Sequence, residues 1–185
     1  MFGISKKTGF TLLELMVVML IIGVMASLFG PTLFSGRKPR YERDTFVARL
    51  NSLVSTARVQ AILERAVHSI EFDFKKRTVE IKRAPFPGAL ADDFESIKGL
   101  PSAHYIWLEQ FEIKQFLVEG NDLMKAFARK ETSEVFFFVI PDGLTQEVTI
   151  NFLDTKDTID DEARKVGLVL NPFTAYFKTY DTFQK

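Results

Sequence analysis

Residues 6–33 read KKTGFTLLELMVVMLIIGVMASLFGPTL. Two lysines, Lys6 and Lys7, stand ahead of a run that from Leu15 to Leu28 is broken only by Gly23 and Ser27. A helix from Phe10 to Leu33 would be about 36 Å long, enough to cross a hydrocarbon layer of about 30 Å. The lysines would stay on the cytoplasmic side and leave the rest of the chain outside the cytoplasm. Glu14 is the unexpected residue. A carboxylate near the start of such a helix is costly unless it is paired. A secretory signal would end in a small-residue cleavage site, and Ala26-Ser27-Leu28 matches one poorly. A non-cleaved signal anchor explains the apolar run but not Glu14. A cation on a neighbouring helix explains it, and a free N-terminal ammonium on the next copy would serve. That requires a cut close to Glu14, and Gly9-Phe10 lies just upstream. At the far end Pro31 removes one backbone donor, which predicts a kink.

Working outward, Arg37, Lys38 and Arg40 read either as a solvated turn or as a basic collar over lipid headgroups. From Tyr41 the helical period returns. Phe46, Leu50, Leu53, Val54, Ala57 and Ala61 share one stripe, with Arg49, Ser52, Arg58 and Glu64 on other faces. The two segments predict a helical spine of roughly 50 residues.

After Val67 the period becomes two. Ile70, Phe72 and Phe74 alternate with polar residues, Lys75-Lys76-Arg77 makes a turn, and Val79 and Ile81 continue the pattern as a hairpin. Residues 84–103 read as loop, with a short helical turn around Asp92 to Ile97. One or two strands follow within Tyr105–Val118. Asn121 is placed to cap a short helix over Leu123 to Ala128. Val135 to Ile140 is a strong strand, Pro141-Asp142-Gly143 a turn, and Gln146 to Leu153 a strand with Val148, Ile150 and Phe152 on one face. Asp154 to Glu162 reads as an acidic loop, Val166 to Leu170 as a strand, Asn171-Pro172 as a turn and Ala175 to Tyr180 as the last strand.

The 185 residues carry 24 basic and 24 acidic side chains and no cysteine. Zero net charge with no basic stripe argues against nucleic acid as a partner. The absence of cysteine removes disulfide scaffolds and thiol chemistry. No phosphate loop, zinc motif or nucleophile elbow is present, so no catalytic residue and no cofactor is assigned. His68 and His104 read as structural or surface residues, and Asp92, Asp93 and Glu95 as solvated charge. Asp154, Asp157, Asp160 and Asp161 read as ordinary surface acidity, with a calcium loop as the lesser alternative because carboxylate oxygens suit that ion.

Lys6-Lys7-Thr8-Gly9-Phe10-Thr11-Leu12-Leu13-Glu14-Leu15, with the apolar stretch behind it, resembles the class III signal of type IV pilins and type II secretion pseudopilins. The resemblance implies that a prepilin peptidase cuts after Gly9, that Phe10 is then N-methylated, and that Glu14, the fifth mature residue, pairs with a neighbour's N-terminus. Pro31 falls where the family carries its kinking proline. The body, with Phe136-Phe137-Phe138-Val139-Ile140 before Pro-Asp-Gly, resembles the minor pseudopilin H group and FimT-like minor pilins, although Leu144 to Glu147 replaces the group's usual glycine-rich stretch. The expected fold is therefore α+β and pilin-like, a long N-terminal helix packed on a mainly antiparallel sheet body. The expected divisions are a leader at 1–9, a transmembrane and assembly helix at 10–33, an amphipathic helix at 34–67 and a periplasmic body at 68–185. The resemblance implies a non-enzymatic minor subunit near the tip of a pseudopilus, anchored in the bacterial inner membrane before assembly. Implied partners are the prepilin peptidase, major and minor pseudopilins and the inner-membrane assembly platform, with the secretin and the secreted substrate as further contacts. A minor type IV pilin is the alternative, and an enzyme or binding domain on a plain anchor is a third reading.

Overall fold

The computed structural model describes residues 12–35, 38–97, 99–125, 133–159 and 161–185. The chain divides into two compact units, Met1–Arg40 and Tyr41–Lys185. In the first, α1 runs Leu12–Ser35. Its backbone is helical through Pro31.

The second helix, α2, runs Lys38–Glu64. The stripe expected from the spacing is the one that is buried: Phe46, Leu50, Leu53, Val54, Ala57 and Ala61 are each at most 1 % exposed. The helix gives way at Arg65, whose φ is 49°. β1 (His68–Asp73) and β2 (Thr78–Arg83) form the hairpin, antiparallel from His68↔Arg83 to Asp73↔Thr78. Asp73 holds the turn, because its Oδ1 accepts the backbone N–H groups of Lys75 and Lys76 at 2.9 Å each.

Segment 84–103 contains more order than a loop. A 3₁₀ turn at Ala91–Asp93 precedes β3 (Glu95–Ser96), and a second at Pro101–Ala103 precedes β4 (His104–Ile106). Both short strands pair with β2. β5 spans Phe111–Val118. Asn121 does not cap a helix. With Asp122 it forms β6 against β5, and it is the Asp122 carboxylate that accepts the N–H of Met124 at 3.1 Å. Residues 126–128 of the expected helix lie outside the described residues.

β7 (Glu134–Val139), β8 (Val148–Ile159), β9 (Glu162–Asn171) and β10 (Tyr176–Tyr180) complete the body. Gly143 in the Pro-Asp-Gly turn takes φ 84°, a conformation that favours glycine. The strands divide into two antiparallel sheets. One is ordered β3-β2-β1-β7 with β4 also on β2, and the other β10-β9-β8-β5-β6. Side-chain alternation is the same in both sheets, so the residue pattern alone does not reveal the division.

Helix and sheets share one core. The Phe46 ring of α2 stacks on Phe111 at 4.8 Å and meets Phe152 edge-on at 5.4 Å, while Phe72 of β1 meets Phe116 of β5 at 5.0 Å. Each such ring buries enough apolar area to contribute roughly 1.5–3 kcal/mol.

Candidate functional site

In the first unit α1 presents apolar side chains on every side. Leu12, Leu13, Met16, Met19, Leu20 and Ile22 are each more than half exposed. A helix that is apolar all round is stable only when something covers it: a lipid phase or other helices. Among the described residues no helix is long and apolar enough to cross a membrane. The stretch whose side chains are described, 12–27, is roughly 24 Å long at 1.5 Å per residue, short of the hydrocarbon thickness. Residues 10–11 and the side chains of 28–33, which complete the expected span, lie outside that description. Glu14 sits in the first turn of α1, exposed among Leu12, Leu13, Leu15 and Met16. A carboxylate there complements the positive end of the helix dipole. Lys6, Lys7, Gly9 and Phe10 lie outside the described residues, as does the side chain of Pro31.

The acidic segment of the body needs correction. Residues 154–159 are strand and not loop, because β8 and β9 pair out to Ile159↔Glu162, with an irregular register between Asp154 and Thr158. Asp154 is not surface charge either, for it is 0 % exposed. Its irregular stretch of β8 faces Arg43 of α2, whose Nη1 lies 4.0 Å from Asp154 Oδ2 and 2.5 Å from Asp157 Oδ2. Arg164 adds a second cation, 3.4 Å from Asp157 and 2.7 Å from Asp181. Burial pushes the Asp154 carboxyl above the usual range, outweighing the Lys156 N–H and the charge of Arg43. A guanidinium thus stands among the carboxylates that a calcium ion would need. Asp161 forms the hairpin tip at φ 63°, and Asp160 lies outside the described residues. Among the described residues no group of three or more carboxylate or imidazole ligands converges on a metal position.

One histidine is buried and the other lies at the surface. His68 is fully buried, its Nδ1 3.0 Å from the Ala66 carbonyl and its Nε2 3.6 Å from Glu64, and burial pushes its pKa down. His104 is exposed at the start of β4. Asp93 accepts the N–H of Leu90 at 3.2 Å, Glu95 is exposed, and the side chain of Asp92 lies outside the description.

Sequence reasoning missed two features. Arg43 precedes Phe46 by three residues and Leu50 by seven, so the helical period itself places it on the buried face. The second is a seat for the chain's last residues. Asn151, 0 % exposed, accepts the N–H of Gln184 at 2.9 Å and donates to its carbonyl at 2.7 Å and to Gln115 Oε1 at 2.8 Å. Opposite it, Gly167 leaves room for the tail, because a Cβ there would lie 2.5 Å from the Thr182 carbonyl oxygen. No local spacing signals that contact.

Residues 4–29 match the family described as the prokaryotic N-terminal methylation motif. No curated protein matches the chain. Among solved structures, the minor pseudopilin EpsH from the type 2 secretion system of Vibrio cholerae is similar. One structure covers 78% of this chain and 99% of its own length at 10% identity, with a TM-score of 0.51. A second covers 81% and 98% at 13% identity, with a TM-score of 0.48. The chain thus joins the prokaryotic N-terminal methylation motif to a body with the fold of the minor pseudopilin EpsH.

Proposed function

We propose that this protein is a minor pseudopilin of a type II secretion system, a structural subunit without catalytic chemistry of its own. One observation carries the reading: the methylation motif at residues 4–29 leads into a helix whose apolar side chains are exposed all round, ahead of a pseudopilin-fold body. A prepilin peptidase removes residues 1–9 by cutting after Gly9, with Lys6 and Lys7 holding the leader on the cytoplasmic side, and Phe10 becomes N-methylated. Phe10 to Leu33 then anchors the subunit in the inner membrane with its body in the periplasm. On assembly the same helix exchanges lipid for the helices of major and minor pseudopilins. Glu14 guides register by pairing with a neighbour's N-terminal ammonium, an attraction strengthened by the low dielectric around it, and Pro31 bends the helix at its exit. The assembly platform drives this transfer, and the secretin and cargo meet the finished filament at its tip.

Intact mass of the protein from its native membrane tests the reading. The expected product lacks residues 1–9 and carries one added methyl group. An untrimmed, unmethylated chain in cells with an active prepilin peptidase would overturn it.

A further inference from the structure

At the end of α2 the body carries an apolar groove of about 520 Å³. Its walls include Pro85, Phe86, Phe94, Phe138 and Ile140. Phe86 is 56 % exposed and Ile140 39 %, while the Phe94 ring lies tilted against Phe138 at 5.8 Å. Beyond the groove Ile62 of α2, also exposed, lies with Arg58 against Gly143, in the turn that follows Ile140. Among the described residues none of these side chains belongs to the body's buried core. Its walls belong to the outer face of the β1–β2–β7 sheet and to the segment after β2.

The charge along the groove selects an occupant. Glu64 is spent on Arg83, whose Nε lies 2.7 Å away. Arg65, exposed and held at φ 49°, has no carboxylate partner among the described residues. The lining therefore keeps one uncompensated positive charge beside an aromatic slot. We propose that this groove docks an extended segment of a different protein, one that places a large apolar side chain between the phenylalanines and an adjacent carboxylate on Arg65. Buried apolar anchors flanked by complementary charge are the usual means by which a small interface gains affinity and register. The proposal rests on the filament reading, which supplies neighbours for the body to meet.

The test uses the full-length chain in its native membrane with Phe86 replaced by the photo-crosslinker p-benzoylphenylalanine. Illumination is expected to give an adduct on another protein, mapped by mass spectrometry to an apolar residue next to Asp or Glu. Arg65→Glu should lower the adduct yield by about tenfold, and changing the mapped carboxylate to Lys should restore it. Unaltered Trp107 fluorescence in each variant verifies that the body remains folded. Adducts on lipid or on another copy of this chain, no adduct, or a yield indifferent to Arg65→Glu would each overturn the groove assignment. The same preparation reports its own processing. A trimmed, methylated chain without the adduct removes the groove alone, whereas an untrimmed chain removes the filament reading.

Discussion

Replacing Arg43 with Met removes the cation that faces a fully buried carboxylate while keeping most of the side-chain volume. At 4.0 Å and an effective dielectric of about 20, the Arg43–Asp154 attraction is about 4 kcal/mol. Breaking a buried pair by deleting one partner costs roughly 3–5 kcal/mol, because the other charge is left without compensation. Two features reduce the loss here. Asp157 keeps Arg164 at 3.4 Å, and Asp154, whose pKa burial has already raised, can take up a proton. The expected loss is therefore about 3 kcal/mol, near the lower end of that range. Urea unfolding of the full chain in detergent, followed by Trp107 fluorescence, reads it. Trp107 is 4 % exposed and packs on Phe72, so it reports the core. With a denaturant slope of roughly 1–3 kcal/mol per molar, the midpoint should fall by at least about 1 M. Adding Asp154→Asn to the Arg43→Met chain should recover more than half of the loss, because the uncompensated charge is gone. A loss under about 1 kcal/mol, well below the expected range, or no recovery in the double variant, would refute the buried-pair reasoning.

Gly167→Ala should expel the C-terminal tail, since the new Cβ would lie 2.5 Å from the Thr182 oxygen and 2.8 Å from Gln184 Cγ. Hydrogen exchange at residues 182–185 should become fast while Trp107 fluorescence is retained; a protected tail would contradict this. The two buried aspartates should respond to pH with opposite sign. The Asp154 pKa is raised on folding, so its contribution is full below its unfolded value near 3.9 and is lost as pH rises through the folded value. Asp154→Asn should therefore gain on the parent between about pH 4 and 7 in urea midpoints. For Asp73, burial pushes upward, but the Lys75 and Lys76 N–H bonds and the Lys76 charge outweigh it and hold the pKa down. Its stabilisation is present above about pH 3.9 and is lost as pH falls through the folded value, so Asp73→Asn should cost most near neutrality and least in acid. Glu14→Ala should leave trimming after Gly9 largely intact but impair incorporation into filaments; normal recovery in sheared filaments would remove the pairing role.

The parts of the fold that were legible in the sequence are those governed by a local period. The stripe from Phe46 to Ala61 and the alternation of Ile70, Phe72, Val79 and Ile81 are fixed by 3.6-residue and 2-residue repeats, and those side chains are buried. The turn at Pro141-Asp142-Gly143 was legible for a similar reason, since the geometry that proline and glycine impose lies within the turn itself. The acidic segment illustrates the opposite case. Asp154 looks like solvent-facing charge because it opens a series of hydrophilic residues, of which Asp161 and Glu162 are exposed. A carboxylate is buried where a cation meets it, where hydrogen bonds hold it or where it takes up a proton. The cation here comes from Arg43, 114 positions before Asp157. The clasp of Asn151 on the Gln184 backbone is likewise non-local, spanning 33 positions and reading peptide groups that every residue but proline carries in full. At the N-terminus the situation reverses. The spacing from Gly9 to Glu14 is informative because its meaning is chemical rather than conformational. On the proposed function a peptidase, a methyl donor and a neighbouring ammonium would each act on a short linear stretch, which requires no packing partner from the rest of the chain.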